Sequence, residues 1–136
     1  ALMVEPAFQS DAVENRFAAY AEPMRNRLLV LRALIFETAA ATGGVGAIEE
    51  TLKWNEPAYI AKTGTTIRIN AHKKSDTDYA LYVHCQTDLL DRYRALYSDK
   101  LTFDGNRAIL FDGRAGLPAK SLRHCIAMAL LYHQKG

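Results

Sequence analysis

The chain has 136 residues, 49% of them hydrophobic and 24% charged, with a formal net charge of +2. That size suits one domain with a core of its own, and the balance excludes a disordered, collagen-like or strongly basic nucleic-acid-binding chain. The longest apolar neighbourhood, 28–41, holds Arg32 and Glu37, so no membrane segment is expected, and no secretion signal opens the sequence; a cytoplasmic location is the expectation.

In chain order, Asp11 and Glu14 have capping-box spacing, which predicts a first helix over 11–20 with Val13, Phe17 and Tyr20 on one face. Pro23 fits the first turn of a second helix, because its missing N–H has no partner to lose there. The stripe Met24, Leu28, Leu31, Ile35 and Thr38 marks the core side of that helix, with Arg25, Arg32 and Glu37 off it, and Gly43-Gly44 ends it. Strands are predicted at 51–54, 58–62, 65–72 and 79–85, separated by Asn55-Glu56-Pro57, Thr63-Gly64 and the polar stretch 73–78. Connections this short imply antiparallel pairing, since parallel strands need a crossover. Alternation in the last two strands sends Ile67, Ile69, Leu81, Val83 and Cys85 inward, and Arg68, Asn70, Tyr82 and His84 outward. A helix from Thr87-Asp88 to Tyr97 follows, then a hairpin of 101–103 and 107–111 around Asp104-Gly105-Asn106. Leu117-Pro118 opens the last helix, with the stripe Leu122, Cys125, Ile126, Ala129, Leu130 and His133. The whole is an α+β domain with an antiparallel sheet of five to six strands covered by helices, a single domain over 1–136.

Several elements carry a family resemblance: Lys53-Trp54-Asn55-Glu56-Pro57-Ala58-Tyr59, Thr66-Ile67-Arg68-Ile69, His84-Cys85-Gln86-Thr87, Gly105-Asn106-Arg107-Ala108 and the closing Ala129-Leu130-Leu131-Tyr132-His133. Over about 17–133 the chain resembles the bacterial YdhG-like family, a domain of unknown function. The resemblance implies a frataxin-like sandwich and, for some members, an iron-chaperone role through surface carboxylates. The first two helices here carry Arg16, Arg25, Arg27 and Arg32 where a frataxin shows an acidic ridge, so ferrous iron, possible by family resemblance only, is expected to bind weakly, and no other cofactor is implied.

The polar residues sort into a few candidate sites. Trp54 and Tyr59 flank a proline and would form an aromatic wall for a ligand, or else pack as core. Asn106 and Arg107 offer an amide and a guanidinium to a carboxylate or phosphate; otherwise Asn106 takes the left-handed turn position. Arg68, Tyr82 and His84 share the outward parity and would converge on an anion. His84-Cys85 and His124-Cys125 do not make a metal site, because adjacent residues diverge on a strand or helix, so no metal ligands are expected and Cys85 and Cys125 are read as buried thiols. The functional expectation is a small cytoplasmic binding protein, using Trp54, Tyr59, Arg68, Tyr82, His84, Asn106 and Arg107 for a small anion or metal complex. Its alternatives are an enzyme with His84 as acid or base on a small anionic substrate, and a protein-interaction module that uses the exposed sheet face. Nothing in the sequence indicates an oligomeric state.

Overall fold

A computed structural model describes residues 6–72 and 75–134. The elements run α1 (Asp11–Ala19), α2 (Met24–Ala41), β1 (Glu49–Lys53), β2 (Glu56–Ile60), β3 (Ile67–Ala71), β4 (Tyr79–Tyr82), α3 (Leu89–Tyr97), β5 (Thr102–Asp104), β6 (Ala108–Phe111) and α4 (Ala119–Leu130). One six-stranded sheet has the order β1-β2-β3-β4-β6-β5, antiparallel at every pairing. The first four strands are a meander because their connectors are short. After α3, the β5–β6 hairpin returns with β6 against β4, leaving β5 as the far edge.

Register fixes the faces. Tyr59 lies opposite Ile67, Ile69 opposite Leu81, and Leu81 opposite Ile109, so one face is a continuous apolar row. Leu28, Leu31 and Ile35 of α2 and Leu122, Cys125, Ile126 and Ala129 of α4 share the core with that row, all fully buried. Each leucine and isoleucine among them contributes roughly 1.5–3 kcal/mol by leaving water. The β2–β3 turn closes the end of α4: Thr65 N–H donates to the Ala129 carbonyl (3.0 Å) and Thr63 Oγ1 to the Leu130 carbonyl (2.7 Å). Two carbonyls in the last turn of α4 are thereby satisfied by the neighbouring loop.

Several boundaries differ from the sequence expectation. The cap of α1 is Ser10, whose hydroxyl accepts from Val13 N–H at 3.2 Å, and Asp11 is already inside the helix. The first hairpin turns on Trp54-Asn55, with φ of 55° and 61°, so Glu56 and Pro57, expected in a loop, are strand residues opposite Lys53 and Leu52. A two-residue turn with both φ values positive matches the twist of its strands. β4 ends at Tyr82, and Cys85, expected as an inward core residue, sits half-buried in the following turn. His133, placed on the stripe of the last helix, is exposed beyond its end. Lys73 and Lys74 of the expected polar stretch lie outside the described residues.

The largest departure is Arg32, expected off the core stripe and found fully buried. Its Nε and Nη2 donate to the Glu50 carboxylate at 2.5 and 3.1 Å, and the guanidinium stacks on Phe8 and Phe36 at 4.4 and 4.9 Å from their ring centres. A planar, weakly hydrated cation can be buried this way only with a carboxylate to answer its charge.

Candidate site on the outer sheet face

The opposite face of the sheet begins with a row of residues that the registers place side by side: Thr51, Ala58, Arg68, Tyr82, Ala108 and Asp104. Ala58, Ala80 and Ala108 are buried on this face, and their small side chains leave room for long neighbours to lie flat across them. Arg68 does so: its guanidinium carbon sits 5.5 Å from the centre of the Tyr82 ring. Arg68 Nη1 also donates to Glu56 Oε1 in a close ion pair, with side-chain exposures of only 24% and 11%. Asn70 Nδ2 donates to the other Glu56 oxygen at 2.8 Å, and Tyr20, just past α1, donates its hydroxyl to Asn70 Oδ1 at 2.7 Å.

The result is a connected network, Tyr20 to Asn70 to Glu56 to Arg68, resting on Tyr82. Its two formal charges cancel. Burial is the main cause that pushes the Tyr20 hydroxyl up to about 12, with Glu56 and Tyr82 adding to it and Arg16 opposing. Tyr82 is raised for the same leading reason, with Glu56 adding and Arg68 opposing. Both phenols are therefore neutral hydrogen-bonding groups at physiological pH. On the far side of the face, His72 Nε2 comes within 3.8 Å of Asp104.

The predicted site residues separate. Arg68 and Tyr82 are cross-strand neighbours, as parity requires. Tyr59 does not join them: it is fully buried on the core face, donating its hydroxyl to Glu50 at 2.9 Å and meeting the Phe36 ring edge-on, so it forms no wall with Trp54. Burial first, and then the Glu50 charge, push its hydroxyl far above the ordinary tyrosine range. Trp54 is 87% exposed at the tip of the β1–β2 hairpin, where Arg16 Nε holds the Asn55 carbonyl at 2.7 Å. His84 is exposed beyond the end of β4, with Nδ1 accepting from Gln86 N–H at 3.0 Å and its carbonyl accepting from the Thr87 hydroxyl. Asn106 and Arg107 are exposed in the β5–β6 turn, where Asn106 Nδ2 donates to the Cys85 carbonyl and Gly105, with φ of 57°, takes the left-handed position.

Glu56 and Tyr20 were missed from sequence. Glu56 was hidden by its place in an apparent loop before Pro57, although the Trp54-Asn55 turn sets it opposite Lys53. Tyr20 carried no signal beyond an aromatic at a helix end.

No family model, curated protein or solved structure matches this chain. The functional reading therefore rests on geometry. An apolar groove of about 350 Å³ lies away from the outer face, between α2 and α4, flanked by Val30, Leu34 and Leu117 and closed at one end by the Glu37–Arg123 pair at 2.7 Å. Among the described residues, no three His, Cys, Asp or Glu side chains lie close enough to share a metal ion, and no helix is long and apolar enough to cross a membrane.

Proposed function

We propose that this chain is a binding protein whose recognition surface is the outer sheet face together with the Trp54 hairpin, and whose partner is another protein surface. The observation that carries the reading is Trp54, the only tryptophan in the chain, held almost fully in water on a two-residue turn anchored by Arg16. Tryptophan is strongly favoured where binding energy concentrates, and a rigid turn presents it at low entropic cost. Beside it, the neutral network around Glu56 offers donors and acceptors already fixed in place. Such a surface suits a partner that brings both kinds of group.

A free anion is less well served. Arg68 is already answered by Glu56, so an incoming phosphate or carboxylate must displace a carboxylate that is itself mostly out of water. The family-based iron role would need carboxylates gathered in one place, whereas Glu56 is committed to Arg68 and Asn70. An enzyme reading draws little from His84, which is exposed at a turn with one ring nitrogen engaged by the backbone.

Trp54 also supplies the assay. A photo-cross-linking phenylalanine analogue at exposed position 53, beside Trp54, compared with the same group at the exposed Leu96 on α3, should give a discrete protein adduct from position 53 alone, and Trp54→Ala should remove it. Identical adduct patterns from both positions would reject the reading.

A further inference from the structure

We propose that the outer edge of β1 is a dimerisation edge for a second copy of this chain, held shut by Gln9. β1 is an edge strand, and its ladder with β2 leaves the N–H and C=O of alternate residues pointing away from the sheet. Gln9 covers the first of them: its Oε1 accepts from Glu50 N–H at 2.7 Å and its Nε2 donates to the Ile48 carbonyl at 3.0 Å. Those are the two groups that one residue of a neighbouring parallel strand would bond, so the side-chain amide stands in for a strand. Leu52, opposite Pro57 and in the same phase of the ladder as Glu50, turns its N–H and C=O to the same edge.

The segment around Gln9 is fastened from inside. Arg32 Nη2 donates to the Ala7 carbonyl at 3.2 Å, the Arg32 guanidinium stacks on Phe8, and Gln9 N–H donates to Glu50 Oε1 at 3.2 Å. Three successive residues of this strap thus read the same buried ion pair.

What the edge would take once opened follows from the β1 sequence, Glu49-Glu50-Thr51-Leu52-Lys53. Antiparallel pairing with a second β1 about Thr51 sets Glu50 of one copy against Leu52 of the other as hydrogen-bonded pairs, the phase in which their N–H and C=O groups already point outward. The same register places Glu49 opposite Lys53 twice, by symmetry, and both residues are exposed. No other register in phase with those hydrogen bonds makes either pair within β1.

The test compares the self-association of the full chain and of Gln9→Ala by sedimentation velocity over a concentration series. Gln9→Ala should associate roughly tenfold more tightly or better, the ratio expected when one or two competing hydrogen bonds are removed. In that background Lys53→Glu sets like charges face to face and should return association to the wild-type level, and adding Glu49→Lys should restore the dimer. Should Gln9→Ala misfold, Gln9→Asn, one methylene shorter, serves the same comparison. Equal self-association of wild type and variant, or a dimer indifferent to Lys53→Glu, would overturn the proposal.

Discussion

Replacing Glu50 with Gln keeps the shape of the side chain and removes only its charge. Arg32 and Glu50 side chains are both fully shielded from water, so the variant removes the buried negative charge that Arg32 Nε and Nη2 both meet. Breaking such a pair costs about 3–5 kcal/mol, whereas replacing the whole set with well-packed apolar groups is often close to neutral. For a chain of this size, with a total stability of about 5–15 kcal/mol, that is a large fraction. With a urea dependence of about 2 kcal/mol per molar, the unfolding midpoint of Glu50→Gln should fall by roughly 1.5–2.5 M. Tyr59 donates to the same carboxylate, so the informative comparison is the triple variant Arg32→Met, Glu50→Leu, Tyr59→Phe, which removes the ion pair and the Tyr59 hydroxyl together and should recover part of the loss, the Ala7 carbonyl and Gln9 N–H having lost their side-chain partners. A Glu50→Gln penalty under about 1 kcal/mol would refute the reasoning, since it would mean that Arg32 does not depend on that partner.

Alkaline stability should fall in a defined window. Burial holds Cys125 and Tyr20 up to about 12 from ordinary values of 9.0 and 10.0, so the folded state keeps protons that the unfolded chain releases. Their stabilisation is fully present below about pH 9 and is lost as pH rises towards 12, so a urea midpoint that stays flat through that range would contradict the assignment. Thiol labelling of the native chain should modify Cys85 quickly and Cys125 only on unfolding, because Cys125 is buried and protonated while Cys85 is half-buried in a turn. Gly113→Ala should cost about 1–3 kcal/mol in chemical denaturation, because a methyl there overlaps the Thr77 carbonyl oxygen. Trp54→Ala should change stability by no more than about 0.5 kcal/mol, the range for an exposed side chain; a larger loss would mean that Trp54 packs on the fold rather than awaiting a partner.

The sheet was legible because its signals were local: short connectors forced antiparallel pairing, and period-two alternation assigned Ile67, Ile69, Leu81 and Val83 to one face and Arg68 and Tyr82 to the other. The apolar stripes of α2 and α4 were legible for the same reason, except at His133 beyond the end of α4, since spacing alone reports a buried face. Arg32 was misread because its burial depends on Glu50, Phe8 and Phe36, none of them a helical neighbour except Phe36. The candidate site was half visible. Parity placed Arg68 beside Tyr82, but nothing near Arg68 in sequence announced Glu56 as its counter-charge, and the Trp54-Asn55 turn shifted the start of β2 by two residues. Tyr59 and His84 were both assigned to a shared ligand surface by type, and register and the end of β4 separate them.

The central claim is that Arg68 is closed to small anions because Glu56 already holds it, so the network at the centre of the outer face carries no net charge. Its most direct measurement is the NMR signal of the Arg68 side chain during titration with inorganic phosphate, in the wild type and in Glu56→Gln. The account predicts no saturable change in the wild type through millimolar phosphate and a saturable one in Glu56→Gln, where the guanidinium has lost its counter-charge. Saturable phosphate binding at Arg68 in the wild type, unchanged by Glu56→Gln, would contradict it.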